Sequence, residues 1–164
     1  MTAYTADKRI LPVQPKKLPH ELKSRPQWVL WKAVGEKPDK VPYSAINGRK
    51  ASSTDLLTWT TFERACEALE TGEYSGLGWV FSSGDPYTGI DLDNCVEQET
   101  GDIKQWALEI VRYFDSYTEL SATGRGVHII VKGEVANRRK SEIEVYSSKR
   151  FFTMTGHVLG AGGD

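Results

Sequence analysis

The chain has 164 residues, of which 39% are apolar and 10% aromatic, enough for one packed core; this argues against disorder and against a second independent domain. Its 21 basic and 22 acidic side chains nearly cancel, which excludes the strongly basic proteins that hold nucleic acid by bulk charge and leaves only a local basic patch open. No run approaches the roughly 18 consecutive apolar residues of a membrane span, and the polar start lacks a signal peptide's apolar stretch, so a cytoplasmic protein without membrane contact is expected.

In chain order, residues 1–18 carry two prolines and several lysines without a period and read as a flexible N-terminal arm ahead of one domain over 19–160. The Trp- and Val-rich run 28–35 predicts a strand, 40–44 a partner for it, and the polar stretch between them a turn. A polar, glycine-containing loop follows over 47–55. Thr60 and Glu63 then match a capping box, and Phe62, Ala65, Cys66 and Leu69 follow at helical spacing until Gly72 stops the helix. Two short strands, 76–82 and 87–93, flank the turn signal Ser83-Gly84-Asp85-Pro86. A second helix over 103–115 puts Trp106, Ile110 and Phe114 on one stripe beside Ile103, Ala107 and Val111, which is a core face. The remainder is strand-like over 117–121, 127–133, 142–147 and 150–156. The tail from 158 has no core-forming content, and its glycine-rich end, 161–164, reads as a truncated linker. Cys66 and Cys95 lie far apart, without the CxxC spacing of zinc or thiol chemistry, and read as buried thiols. Elements mixed in this order predict an α+β protein built on an antiparallel or mixed sheet.

Three stretches carry chemistry. In Gly89-Ile90-Asp91-Leu92-Asp93 the two carboxylates are two residues apart, so on a strand they share a face at a spacing of roughly 6.6 Å. Paired carboxylates repel and lose hydration unless a cation lies between them, and Mg²⁺ or Mn²⁺ prefers such oxygen ligands; a solvated strand face rich in Asp reads the same way. Ser121-Ala122-Thr123-Gly124-Arg125-Gly126-Val127-His128 combines glycines and hydroxyls, which let a backbone approach an anion, with a histidine on the following strand, opposite in face to Val127, Ile129 and Val131. A plain turn and a structural histidine fit it too. Glu142, Glu144 and Tyr146 alternate with Ile143 and Val145, as on an exposed edge strand or beside a site. Asn137-Arg138-Arg139-Lys140 is the densest basic run and reads as a loop, solvated or binding an anion.

In this order the three stretches resemble the three motifs of the archaeo-eukaryotic primase superfamily, and more narrowly the catalytic domain of phage and plasmid primase-polymerases. Residues 25–32, 40–43, the 48–55 loop, Trp59 and 150–156 share the resemblance, which covers about residues 18–160. It implies an RRM-like palm with an N-terminal α/β layer beside it, and template-dependent nucleotidyl transfer using two ions of Mg²⁺ or Mn²⁺. Asp91 and Asp93 carry over as metal ligands. His128 carries over as the contact to the incoming nucleotide's phosphates, Gly126 as the motif's small residue, and Glu144 as the third acidic ligand with Glu142 as the fallback. Ser121, Thr123, Arg125 and Arg150 are suitable donors to phosphate oxygens, and Lys32, Arg138, Arg139 and Lys140 to a nucleic-acid backbone. The implied partners are nucleoside triphosphates, single-stranded DNA template and primer-template, with a helical primase segment and a helicase in a longer protein. Two rivals are a metal-dependent nuclease or replication-initiator nickase, which would want a His-hydrophobe-His pair that is missing here, and a non-catalytic RRM-like single-strand binder.

Overall fold

The computed structural model describes residues 10–35 and 39–160. Strand β1 (Trp28–Val34) pairs with β2 (Asp39–Tyr43) as expected, and part of the turn predicted between them lies outside the described residues. With β3 (Gly76–Phe81) and the last strand, β9 (Arg150–Met154), they form a sheet ordered β2-β1-β3-β9. A second sheet contains β4 (Tyr87–Leu92), β5 (Tyr117–Leu120), β6 (Val127–Lys132), β7 (Arg138–Lys140) and β8 (Ile143–Tyr146) in the order β5-β6-β4-β8-β7. Every pairing between these strands is antiparallel. Helices α1 (His20–Lys23), α2 (Phe62–Glu70) and α3 (Gln105–Phe114) complete an α+β fold.

One core lies between the sheets and under α1 and α2. Alternation along β1 turns Trp28 and Leu30 into it, where Trp28 meets Phe62 of α2 and Trp79 of β3 at ring separations of 5.1 and 5.5 Å. From the second sheet, Tyr87, Ile130 and Tyr146 join the same cluster. A second core fills the opposite face of that sheet, where Ile90, Leu92, Val127 and Ile129 pack against α3 through Ala107, with Trp106, Ile110 and Val111 half-buried. Phe114, at the end of the predicted stripe, lies partly exposed where α3 stops at Asp115 in the left-handed region, φ +45°. Cys95 is buried and Cys66 half-buried, and burial pushes both thiols up to about 11.

Several expectations shift. The helix cap is Thr61, whose hydroxyl accepts from the Arg64 amide at 3.3 Å, while Thr60 pairs with Trp28; the reciprocal capping box on Thr60 and Glu63 is not formed. Ser83–Pro86 is a crossover between sheets: buried Asp85 accepts from Gln27 Nε2 and the Ser82 amide, both at 2.8 Å, and from the Tyr87 amide at 2.7 Å. The basic run expected as a loop is edge strand β7 over Arg138–Lys140. Of the predicted arm, residues 1–9 lie outside the described part, whereas 10–18 are held against the domain although Pro12, Gln14, Lys16 and Lys17 are exposed. The Leu11 amide donates to Ala122 O at 2.7 Å, the Gln14 amide to Thr155 O at 2.8 Å, and Leu18 is 3% exposed. At the other end Leu159 packs against the second core, so the tail is anchored as far as that residue; 161–164 lie outside the described part. No helix among the described residues is long and apolar enough to cross a membrane.

Candidate active site

Strand register builds the site. Glu119 of β5 lies opposite His128 of β6, His128 opposite Asp91 of β4, Asp91 opposite Glu144 of β8, and Glu144 opposite Arg139 of β7. Directly opposed residues share a face of a sheet, so a single row of ionisable side chains crosses all five strands on the face turned toward the first sheet. The other face carries Ile90, Ile129 and Val145 in the neighbouring row.

His128 is 3% exposed and lies flat on Phe152 of β9, with ring centroids 4.7 Å apart and planes at 25°. Its Nδ1 is 3.2 Å from Glu119 Oε2, and its Nε2 is 3.6 Å from Asp91 Oδ1. Glu144 accepts a short hydrogen bond from the Tyr146 hydroxyl, and Arg139 Nε lies 4.0 Å from the same carboxylate oxygen. Burial pushes the Asp91 carboxyl above its ordinary range; His128 opposes the shift, and the neighbouring Glu144 adds to it. Asp91, His128, Glu144, Tyr146 and Phe152 line a cleft of about 320 Å³ whose cations are Lys40, Arg139 and Arg150, with Glu119 buried behind it. Arg150 lies over the Tyr146 ring at 5.1 Å. Thr153, also lining the cleft, has a buried hydroxyl without a partner among the described residues.

The fold needs two glycines here. A Cβ on Gly89, two residues before Asp91, would collide with the Phe81 and Phe152 rings, so this position sets how closely the two sheets approach. A Cβ on Gly126 would stand 2.7 Å from Leu92 O, which makes this small residue a packing requirement between β6 and the end of β4.

Other expected residues lie outside the cleft. Strand β4 ends at Leu92, and Asp93 is exposed just beyond it; its amide still donates to Glu142 O at 2.8 Å, and its carboxylate accepts the Asn94 amide at 3.0 Å. Glu142, the alternative to Glu144, accepts from Asn94 Nδ2 at 3.2 Å, also beyond the row. Ser121 and Thr123 use their hydroxyls to close the turn, accepting from the amides of Gly126 and Arg125 at 3.0 and 3.4 Å. Arg125 lines a separate polar hollow with Asn94, Glu97 and Lys104. Lys32 is stacked over Tyr43 and Tyr74 at 4.7 and 5.2 Å. The basic run splits by strand alternation: Arg139 is in the charged row, whereas Arg138 and Lys140 register with Val145 and Ile143 of the other face. Sequence reasoning missed Glu119, which alternation places on one face with Tyr117, and also Lys40.

Among the described residues no group of three or more His, Cys, Asp or Glu side chains converges on one point as a formed metal cluster. The donor chemistry nevertheless suits a hard divalent cation. Asp91 and Glu144 offer only oxygens, and burial, with Glu144 adding to it, disfavours the charged form of Asp91, which a cation placed between the two carboxylates would favour.

The fold and this cleft together define an α+β domain that turns one face of a sheet to a charged site. No protein-family model matches the chain. Over 146 residues, 84% of its length, it is 38% identical to the DNA primase-polymerase of Nitratiruptor phage NrS-1. The chain is therefore a relative of the phage primase-polymerases, and the match spans about 20% of that protein's length.

Proposed function

We propose that this chain is a nucleotidyl-transfer domain that adds nucleotides to a DNA strand on a template, as a primase-polymerase. The observation that carries the reading is the cross-strand row of Glu119, His128, Asp91, Glu144 and Arg139 beside a cleft edged by Lys40 and Arg150. Carboxylates and cations facing one hollow suit a ligand that brings both metal and phosphate.

Asp91 and Glu144, with Asp93 from the strand end, would hold two ions of Mg²⁺ or Mn²⁺. Bound there, such ions lower the pKa of an attacking 3′-hydroxyl and offset charge at the α-phosphorus. His128 Nε2 faces the cleft and donates to a triphosphate oxygen when protonated. Arg139, Arg150 and Lys40 balance phosphate charge, and the unpartnered Thr153 hydroxyl supplies a neutral donor. Tyr146 holds the Glu144 carboxylate, and Phe152 supports the His128 ring. Ser121, Thr123 and Gly126 act through the shape of the turn ahead of His128 rather than as phosphate ligands. Nucleoside triphosphates and single-stranded or primed DNA are the proposed partners, with a helical segment and a helicase supplied elsewhere in a longer protein. The test is incubation with Mn²⁺, a primed template and labelled nucleotides. Extension supports the reading, whereas strand cleavage, or binding without chemistry, replaces it by a nuclease or a single-strand binder.

A further inference from the structure

Glu119 is fully buried, and every polar neighbour that it has can donate to it. Its Oε1 accepts from the Tyr117 hydroxyl at 2.6 Å and from the Thr155 and Gly156 amides at 3.1 and 3.0 Å; its Oε2 accepts from the Thr155 amide at 3.0 Å and faces His128 Nδ1 at 3.2 Å. A carboxylate only accepts, so Nδ1 is the nitrogen that carries a proton toward it. The stack on Phe152 fixes the plane of the ring but is indifferent to a half-turn about the Cβ–Cγ bond, which would swap Nδ1 and Nε2 for carbons. Glu119 distinguishes the two orientations.

We propose that Glu119 is a positioning residue that locks the His128 ring with Nδ1–H inward, so that Nε2 is the atom presented to Asp91 and the cleft. The ring geometry stands on the contacts above, and the consequence for nucleotide use rests on the functional reading. Because Glu119 also holds the Thr155 and Gly156 amides, the end of β9 and the His128 ring share one anchor.

The first measurement needs no substitution. In ¹H–¹⁵N spectra of the His128 ring in the intact chain, Nδ1 must report as protonated; a bare Nδ1 overturns the proposal. The second uses Glu119→Gln, which keeps size and burial. The Gln carbonyl is claimed by the Tyr117 hydroxyl and the Gly156 amide, which leaves its NH₂ against Nδ1 and costs the Thr155 amide one of its two acceptors, so the ring spectrum should change to an unprotonated Nδ1 or to a mixture of orientations. The apparent nucleotide KM should rise about tenfold, in line with substitutions of groups that orient a ligand, with a smaller change in kcat. In a His128→Ala background the same Glu119→Gln change should add a much smaller loss, the part that runs through the Thr155 amide alone. An unchanged ring spectrum, or an equal loss in both backgrounds, overturns the proposal. If neither the parent chain nor any variant incorporates nucleotide, the functional reading fails, and the ring spectra still decide the role of Glu119.

Discussion

The two sheets face one another with opposite materials. The first offers Trp28, Trp79, Phe81 and Phe152, packed edge to face at 4.9 to 6.5 Å, whereas the second offers Glu119, His128, Asp91 and Glu144. The second sheet can carry charge inward because its other face has its own apolar core against α3. A sheet with one well-packed face leaves the other for chemistry, and the aromatic face opposite then serves as a dry wall that supports His128.

Substitutions on the two faces should therefore separate activity from stability. The largest effect on activity is expected from Asp91→Asn, which should abolish nucleotide incorporation while leaving the melting temperature unchanged or raised. Its pH dependence gives a second check. Burial holds the Asp91 carboxyl above its ordinary 3.8, so the folded state binds that proton more tightly than the unfolded chain. Wild-type stability then declines as pH rises from 3.8 through the raised value, and Asp91→Asn lacks that decline. Wild-type turnover by the variant would remove Asp91 from the site.

On the aromatic wall, Trp79→Ala should cost about 3–5 kcal/mol in urea unfolding, as for other large-to-alanine core changes. Trp79→Phe should cost less, since it deletes an indole N–H that has no partner among the described residues. A cost below about 1 kcal/mol for Trp79→Ala would contradict the burial argument.

Where the faces touch, His128→Ala should weaken nucleotide use roughly 10- to 150-fold, corresponding to about 1.5–3 kcal/mol for a hydrogen bond to a charged group. Incorporation titrated against nucleotide concentration measures it, and an unchanged apparent affinity would leave His128 a purely structural ring. The smallest effect concerns β7. Arg139→Ala should lower the salt slope of single-stranded DNA binding by about 0.7, the value of one phosphate contact, and Arg138→Ala or Lys140→Ala by less. Equal effects at all three would mean that the strand alternation does not govern the patch.

Much of this was legible in the sequence, because alternation and helical spacing are local signals. The strands carrying Asp91, His128 and Glu144, and the apolar residues under α3, followed from them. What joins three strands into one row is register, which depends on pairings between distant segments, so Glu119 gave no sign of its meeting with His128. An edge strand solvated on both faces has no hydrophobic period, which is why Arg138–Lys140 read as a loop. Adjacent threonines at 60 and 61 left the cap ambiguous by one residue, and tertiary pairing of Thr60 with Trp28 decided it. The apolar alternation of Leu11 and Val13 was the overlooked sign that the segment before residue 18 is packed.

Strand β9 follows every other described strand in the chain, yet it pairs with β3, with Met154 opposite Leu77 and Phe152 opposite Trp79. During synthesis the first sheet therefore has an open, apolar edge at β3 until almost the whole domain has emerged. The second sheet pairs from strands within 87–146 and can form earlier. Folding should accordingly be slow for a domain of this size, in the range of milliseconds to seconds typical of non-local β pairing. Nascent chains ending before Arg150 should remain protease-sensitive in β1 and β3, and a protected first sheet in such chains would contradict this order. The ring that supports His128 arrives with the final strand, so the domain cannot assemble its cleft before it has closed its own edge.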